Sequence, residues 1–170
     1  MKKTKMLLVL AISVFFVGNV EAQETNKEST VYEKGFRLGL GLNGGLPYNN
    51  DFHNWSLGGD VRLQYNLSKK TSVALTTGFT NLFRGNDMKD LGFIPIKAGF
   101  KGFVWKNKFY LLGEVGGGIA VTNGYNQNTY LWVPGIGYAT KYIDVSLRYE
   151  NYTEYNTDQF ALRVAYAFKL

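Results

Sequence analysis

From Phe160 to Leu170 the chain alternates. Phe160, Leu162, Val164, Tyr166, Phe168 and Leu170 are large and apolar, and Ala161, Arg163, Ala165, Ala167 and Lys169 stand between them. A period of two is a strand that is greasy on one face. The same alternation, bounded by clusters of Gly, Asn, Asp and Lys, predicts seven strands upstream: Lys34–Leu46, Ser56–Leu67, Thr71–Phe83, Phe93–Trp105, Phe109–Thr122, Tyr130–Thr140 and Tyr142–Tyr152, with the eighth over Asp158–Leu170. No useful length of chain has helical spacing and no Pro- or Ser-rich linker divides it. The pattern is one all-β domain over residues 34–170.

The connections alternate in character. Pro47–Trp55, Arg84–Gly92, Asn123–Thr129 and Thr153–Thr157 are the longer ones, rich in Asn, Asp and Tyr; Ser68–Lys70, Lys106–Lys108 and the turn near Lys141 are short and carry lysines. Short turns at one end and longer loops at the other are the layout of up-and-down membrane barrels, in which the short side faces the periplasm. An even strand number puts both ends of the barrel sequence on that short side.

What alternates decides which side is the inside. One face carries residues such as Leu38, Leu40, Leu42, Val61, Leu63, Leu75, Ile96, Phe100, Leu111, Val115, Ile136, Val145 and Leu147. The other mixes glycines (Gly39, Gly41, Gly78, Gly99, Gly116, Gly135, Gly137) with Arg37, Asp60, Arg62, Lys97, Lys101, Glu114, Asp144, Arg148, Glu150 and Arg163. A soluble barrel turns its apolar face inward, and glycine on its wet face would only weaken the strands. In an eight-stranded membrane barrel the polar face is inside, where the space barely holds side chains. The glycines then make room for the charges to cross the lumen, and the ten charged residues are expected to form a paired network that plugs it. The fold expected is therefore an eight-stranded antiparallel up-and-down transmembrane β-barrel.

Aromatics add two bands. Phe36, Tyr65, Trp105, Phe109, Tyr142, Tyr166 and Phe168 fall at the short-turn ends, and Tyr48, Phe52, Trp55, Phe93, Tyr130, Trp132, Tyr152 and Phe160 at the loop ends, as interfacial girdles would.

The amino-terminal segment sets the compartment. Lys2, Lys3 and Lys5 precede an apolar stretch, Met6–Val17, that is too short to span a bilayer comfortably, and Val20-Glu21-Ala22 is a cleavage pattern. Residues 1–22 are expected to be a cleaved signal peptide and 23–33 a flexible periplasmic lead-in. Cleavage removes three lysines and one glutamate, leaving 16 basic and 12 acidic residues and a charge of +4 instead of +6. The absence of cysteine excludes a disulfide scaffold and a lipid-anchored amino terminus.

Ile94–Lys101 (IPIKAGFK), Leu111–Gly118 (LLGEVGGG), Pro134–Tyr138 (PGIGY) and Asp144–Glu150 (DVSLRYE) resemble strand segments of the small outer-membrane barrels of the OmpA/OmpX type, within the porin-like outer membrane protein beta-barrel domain group. The resemblance covers Lys34 to Leu170. It implies a bacterial outer-membrane location, contact with outer-membrane lipid, and a closing strand read by the barrel-assembly machinery through Phe160, Leu162, Val164, Tyr166, Phe168 and Leu170. The last residue departs from the pattern, which ends in Phe.

Candidate chemistry is thin. Gly39-Leu-Gly-Leu-Asn-Gly44 spells the dinucleotide fingerprint, but no helix follows it. Asn49, Asn50 and Asp51, or Asn86 and Asp87, lack the spacing of a calcium loop and have turn propensity. The basic residues form no stripe for nucleic acid. His53, the only histidine, lies near Ser56, and a lipid-modifying barrel enzyme is the competing reading, with a soluble periplasmic ligand-binding barrel behind it. The favoured expectation is a monomeric, non-enzymatic outer-membrane barrel with no cofactor and no metal, in a structural or surface-interaction role, or as a small-solute pore if the charged interior leaves a water path.

Overall fold

The computed structural model describes residues 34–48, 53–85, 89–105, 107–122, 124 and 127–170. The expected signal peptide and lead-in, Phe52, and the calcium candidates Asn49, Asn50, Asp51, Asn86 and Asp87 lie outside the described residues. The strands are β1 (Gly35–Pro47), β2 (His53–Asn66), β3 (Thr71–Arg84), β4 (Leu91–Trp105), β5 (Phe109–Ala120), β6 (Thr129–Ala139), β7 (Ile143–Tyr152) and β8 (Thr157–Lys169). Each pairs antiparallel with its neighbours in sequence. The sheet closes by pairing β8 with β1, from Arg37 opposite Lys169 to Pro47 opposite Gln159. Closure leaves no free sheet edge, the condition for a strand structure in lipid.

Short connections span 67–70, 106–108 and 140–142. At the other end the connections span 48–52, 85–90, 121–128 and 153–156, the last containing one 3-10 turn, Thr153–Tyr155. At β1, β2, β3, β4 and β8 the strands reach further into the loops than alternation indicates, whereas β5 stops two residues short of the expected Thr122; the connection after β7 is no longer than the β2–β3 turn.

The barrel is inside out relative to a soluble one. Its outward face exposes Leu40, Leu42, Val61, Leu75, Ile96, Phe100, Leu111, Val115, Ile136 and Leu147 in one continuous belt, while Arg148, Arg163 and Lys101 are among its most buried side chains. An apolar surface of that extent does not stand in water on a soluble monomer. At both rims the outer aromatics touch across strands: Tyr142 stacks on Tyr166 and Phe36 packs on Tyr65 at the short-turn end, and Trp55 stacks on Phe83 and Trp132 packs on Tyr149 at the loop end.

Two aromatics placed in the loop-end girdle belong to the interior. Phe93 is 1% exposed and Tyr152 3%, and they stack on each other inside the mouth. Strand parity explains it: Phe93 shares the face of Lys97 and Tyr152 that of Glu150. With Leu82, Leu91 and Leu131 they form an apolar cluster across the loop-end mouth, against which Ala120 and Tyr155 pack. A smaller cluster of Phe103, Tyr110, Leu112 and Ala139 lies at the short-turn end. The lumen is layered: apolar, charged, apolar.

Candidate functional site

The charged layer is the one place where the described residues concentrate chemistry. All ten charged residues singled out from the sequence face into the lumen and are buried.

One cluster is centred on Asp60 and Asp144. Asp60 accepts from Nε and Nη2 of Arg163 at 2.5–3.0 Å and from the Asn43 amide at 2.8 Å. Register cannot bring β2 and β8 side by side, since both flank β1. The pair instead passes over Gly41, where a Cβ would lie 2.9 Å from the Arg163 guanidinium. Asp144 accepts from the Tyr110 hydroxyl at 2.5 Å and from the Lys101 ammonium, which also sits 4.3 Å from the centre of the Tyr110 ring. Arg163 Nη1 is 3.8 Å from Asp144, joining the two carboxylates.

The second cluster is centred on Glu114. Its Oε1 accepts from Arg62 Nη2 at 2.7 Å and from the Thr76 hydroxyl at 3.0 Å. Its Oε2 faces Lys97 at 3.6 Å and Arg148 at 3.7 Å, within ion-pair reach but without a hydrogen bond. Glu150 takes Arg148 Nη2 at 2.9 Å, Lys97 at 3.7 Å and the Gln159 amide at 2.6 Å. Arg148 also donates to Asn43 Oδ1 at 2.6 Å, so Asn43 links the two clusters. Arg37 stands apart at the short-turn mouth, where its Nη2 donates to the carbonyls of Thr140 and Lys141 and ties down the β6–β7 turn.

Glycine makes this crowding feasible. A Cβ at Gly99 would meet Glu114 Cγ at 2.8 Å, one at Gly135 would meet Arg148 Cγ at 3.0 Å, and one at Gly137 would overlap the Tyr110 ring. Each is an inward position beside a long side chain that must fold over the wall.

Four neutral partners, Asn43, Thr76, Tyr110 and Gln159, each satisfy a charge, a role that alternation alone does not assign. Their inward parity was the available signal. The serine near His53 is not at an outer rim. Ser56 is buried in the lumen and donates to Gln159 Oε1 at 2.6 Å, while His53 opens β2 with its backbone opposite Arg84. Among the described residues no group of three or more His, Cys, Asp or Glu is arranged to hold a metal.

Little space is left. Two cavities among the described residues, one lined by Arg37, Asn66, Ser72 and Phe103 and one by Arg37, Arg62, Asp144 and Arg163, are each about 10 Å³. That is room for one water, not for a ligand. Outside the strands, Glu154 ties the β7–β8 connection to the start of β6 by accepting from the Tyr130 amide at 2.6 Å; its hydrogen bond with Thr129 holds its carboxyl below the usual range.

The six residues of the closing strand that carry the expected assembly signal lie on the outward face. Phe160, Leu162, Val164, Tyr166 and Leu170 are exposed and Phe168 is half-buried, and the Leu170 amide donates to the Phe36 carbonyl at 3.0 Å.

No family model and no characterised protein matches the chain by sequence. Solved structures match it by shape. Ail, the attachment invasion locus protein of Yersinia pestis, aligns with a TM-score of 0.54 at 13% identity over 80% of this chain and 100% of its own. Neisserial surface protein A aligns at 0.52 and 14%, over 80% and 97%. A de novo designed transmembrane β-barrel aligns at 0.54 and 15%, over 79% and 98%. At these identities the likeness establishes the fold, that of the small eight-stranded transmembrane barrels. The designed match shows that this fold exists without any inherited activity.

Proposed function

We propose that the chain is a monomeric, non-enzymatic integral protein of the bacterial outer membrane, closed to solutes, and acting as a structural or surface-interaction element through its loop end. The observation that carries this reading is the layered lumen: buried ion pairs, bracketed by apolar clusters at both mouths, inside an apolar belt. A pore needs a continuous polar path, and the Phe93–Tyr152 and Phe103–Tyr110 pairs, which narrow the two mouths, support a closed lumen. A soluble ligand-binding barrel needs a cavity and a wet outer face; the lumen is filled and the outer face is apolar. An enzyme acting on lipid needs its nucleophile at the rim, and Ser56 points into the lumen.

Surface proteins of this shape support a role at the cell exterior. One Ail structure holds the heparin analogue sucrose octasulfate. The described loop end of this chain carries Arg84 and Lys89 against Asp90, Glu154 and Asp158. A polyanion does not suit it; a neutral or cationic partner does.

The test is expression with the amino-terminal segment in a Gram-negative host. The chain should fractionate with the outer membrane and migrate faster on gels unheated than boiled. The refolded barrel should pass no single-channel current in planar bilayers. Discrete conductance would replace the plugged reading with a pore. Removal of Phe168–Leu170 should abolish insertion by the assembly machinery, and normal insertion would leave the closing strand without that role.

A further inference from the structure

We infer that the short-turn end of the barrel is a docking ring for the anionic phospholipid headgroups of the leaflet it faces. This rests on the membrane-barrel reading above.

The charges on the two ends are unequal. At the short-turn end, Lys34 and Lys169 flank the β1–β8 seam, Lys69 and Lys70 lie in the β2–β3 turn, Lys108 in the β4–β5 turn and Lys141 in the β6–β7 turn. Every connection at that end carries a cation, so the six are spread around the whole circumference. All except the half-buried Lys108 are exposed. The only Asp or Glu at that end among the described residues is Asp144, which is buried and committed to Lys101 and Tyr110. Outside the described residues the sequence adds Lys106 to that end and, in the lead-in before Lys34, Glu24, Glu28 and Glu33 with Lys27, so that lysines still outnumber acids there. At the loop end the sequence sets five acids (Asp51, Asp87, Asp90, Glu154, Asp158) against Arg84 and Lys89.

A ring this rich in lysine costs self-repulsion and is not needed for turn formation, for which Asn, Gly or Ser serve as well. A counter-charge at the same depth offsets that cost. The ring's depth identifies the counter-charge. The lysines sit immediately beyond the aromatic band of Trp105, Tyr142 and Tyr166, and the Lys141 ammonium lies 5.2 Å from the centre of the Tyr142 ring. Outward aromatics mark the headgroup level. Ammonium groups one step further out meet phosphates on flexible stems. The Arg37 bond to the Lys141 carbonyl and the Lys70 carbonyl's bond from the Phe103 amide hold two of the turns at that level. A basic residue beside an anionic membrane surface gains on the order of fivefold in association.

The experiment uses the refolded full barrel in phosphatidylcholine vesicles containing trace spin-labelled phosphatidylglycerol or spin-labelled phosphatidylcholine. The motionally restricted fraction gives the relative association of each lipid. Wild-type protein should prefer phosphatidylglycerol by at least about tenfold, and 0.5 M salt should reduce the preference severalfold. The Lys69→Gln/Lys70→Gln/Lys108→Gln/Lys141→Gln variant should lose most of it, the fourfold Lys→Arg variant should keep it, and Arg84→Gln/Lys89→Gln at the loop end should leave it unchanged. Equal association of both lipids with the wild type, or an undiminished preference in the fourfold Gln variant, overturns the ring. Should the Gln variant fail to fold, the wild-type salt titration decides alone, a flat profile overturning the inference. Failure of the wild type to insert in phosphatidylcholine at all, read by heat-modifiable migration, would instead overturn the membrane reading beneath it.

Discussion

The two charged clusters of the lumen are built from the same residue types, yet they satisfy their atoms differently. Around Asp60 and Asp144 each carboxylate oxygen accepts a hydrogen bond, and two acids face two bases, Lys101 and Arg163. Around Glu114 three cations, Arg62, Lys97 and Arg148, share two carboxylates; Glu114 Oε2, Arg62 Nη1 and Arg148 Nε and Nη1 are buried without a hydrogen bond. The first cluster is neutral and directional. The second is a hub held by charge more than by geometry. The difference teaches that a crowded lumen does not require every pair to be ideal: a sixth base, Arg37, donates to backbone carbonyls, and the hub tolerates loose contacts because Lys97 and Arg148 each face two carboxylates.

The largest effect should therefore come from the looser cluster. Glu114→Gln leaves Lys97 and Arg148 facing Glu150 alone and takes from Arg62 its ion pair, and removing one partner of a buried ion pair costs about 3–5 kcal/mol. Urea unfolding of the barrel in vesicles, followed by tryptophan fluorescence, measures it. A loss below about 1 kcal/mol would mean that the hub is solvated and its charges screened.

Asp60→Asn should cost less in spite of breaking the better-made bond. Arg163 keeps Asp144 at 3.8 Å, so the loss is that of charged hydrogen bonds, about 1.5–3 kcal/mol. If Asn at 60 proves more damaging than Gln at 114, the directional cluster is the foundation and the hub secondary.

Glycine substitutions sharpen the same comparison on one strand. Gly39 and Gly41 both face inward near Arg163, but an added Cβ at 41 lies 2.9 Å from the guanidinium and one at 39 lies 3.7 Å from it. Arg163 is fixed by Asp60 and cannot easily yield. Gly41→Ala should cost about 1–3 kcal/mol by overpacking, and Gly39→Ala within about 0.5 kcal/mol. Equal losses at both positions would show that intrinsic strand effects, not room for Arg163, govern these glycines.

Much of this was legible in the residues because a period of two leaves little freedom. Once Arg37, Arg62, Glu114 and Arg148 share parity with glycines, and Leu40, Val61, Val115 and Leu147 hold the opposite parity, inside and outside follow. Partner choice was not legible. Asp60 and Arg163 are 103 residues apart, and their meeting depends on the shear of the closed barrel, which alternation does not encode. The place of Phe93 and Tyr152 at strand ends points to a girdle, while their parity with Lys97 and Glu150 points inward, and the parity prevails. At a barrel mouth the same aromatic content serves either a girdle outside or a seal inside, and only the face distinguishes them.

The smallest effect lies above the hub, where the mouth meets solvent. Glu154 accepts the Tyr130 amide at 2.6 Å and pairs with Thr129, and these bonds hold its carboxyl below the usual range near 4.3. A carboxyl lowered in the folded state contributes stability that is complete above its unfolded value and is lost as pH falls through its folded one. Protection of the Tyr130 amide from hydrogen exchange, normalised to the intrinsic rate, should be constant from pH 7 to pH 5 and fall only in stronger acid. In Glu154→Gln it should not change with pH over that span or below it. The Asp60 cluster, buried deeper than the Phe93 and Tyr152 pair, should keep its amides protected throughout the same titration; exchange at β2 that rises in step with Tyr130 would mean that the mouth and the network open as one unit.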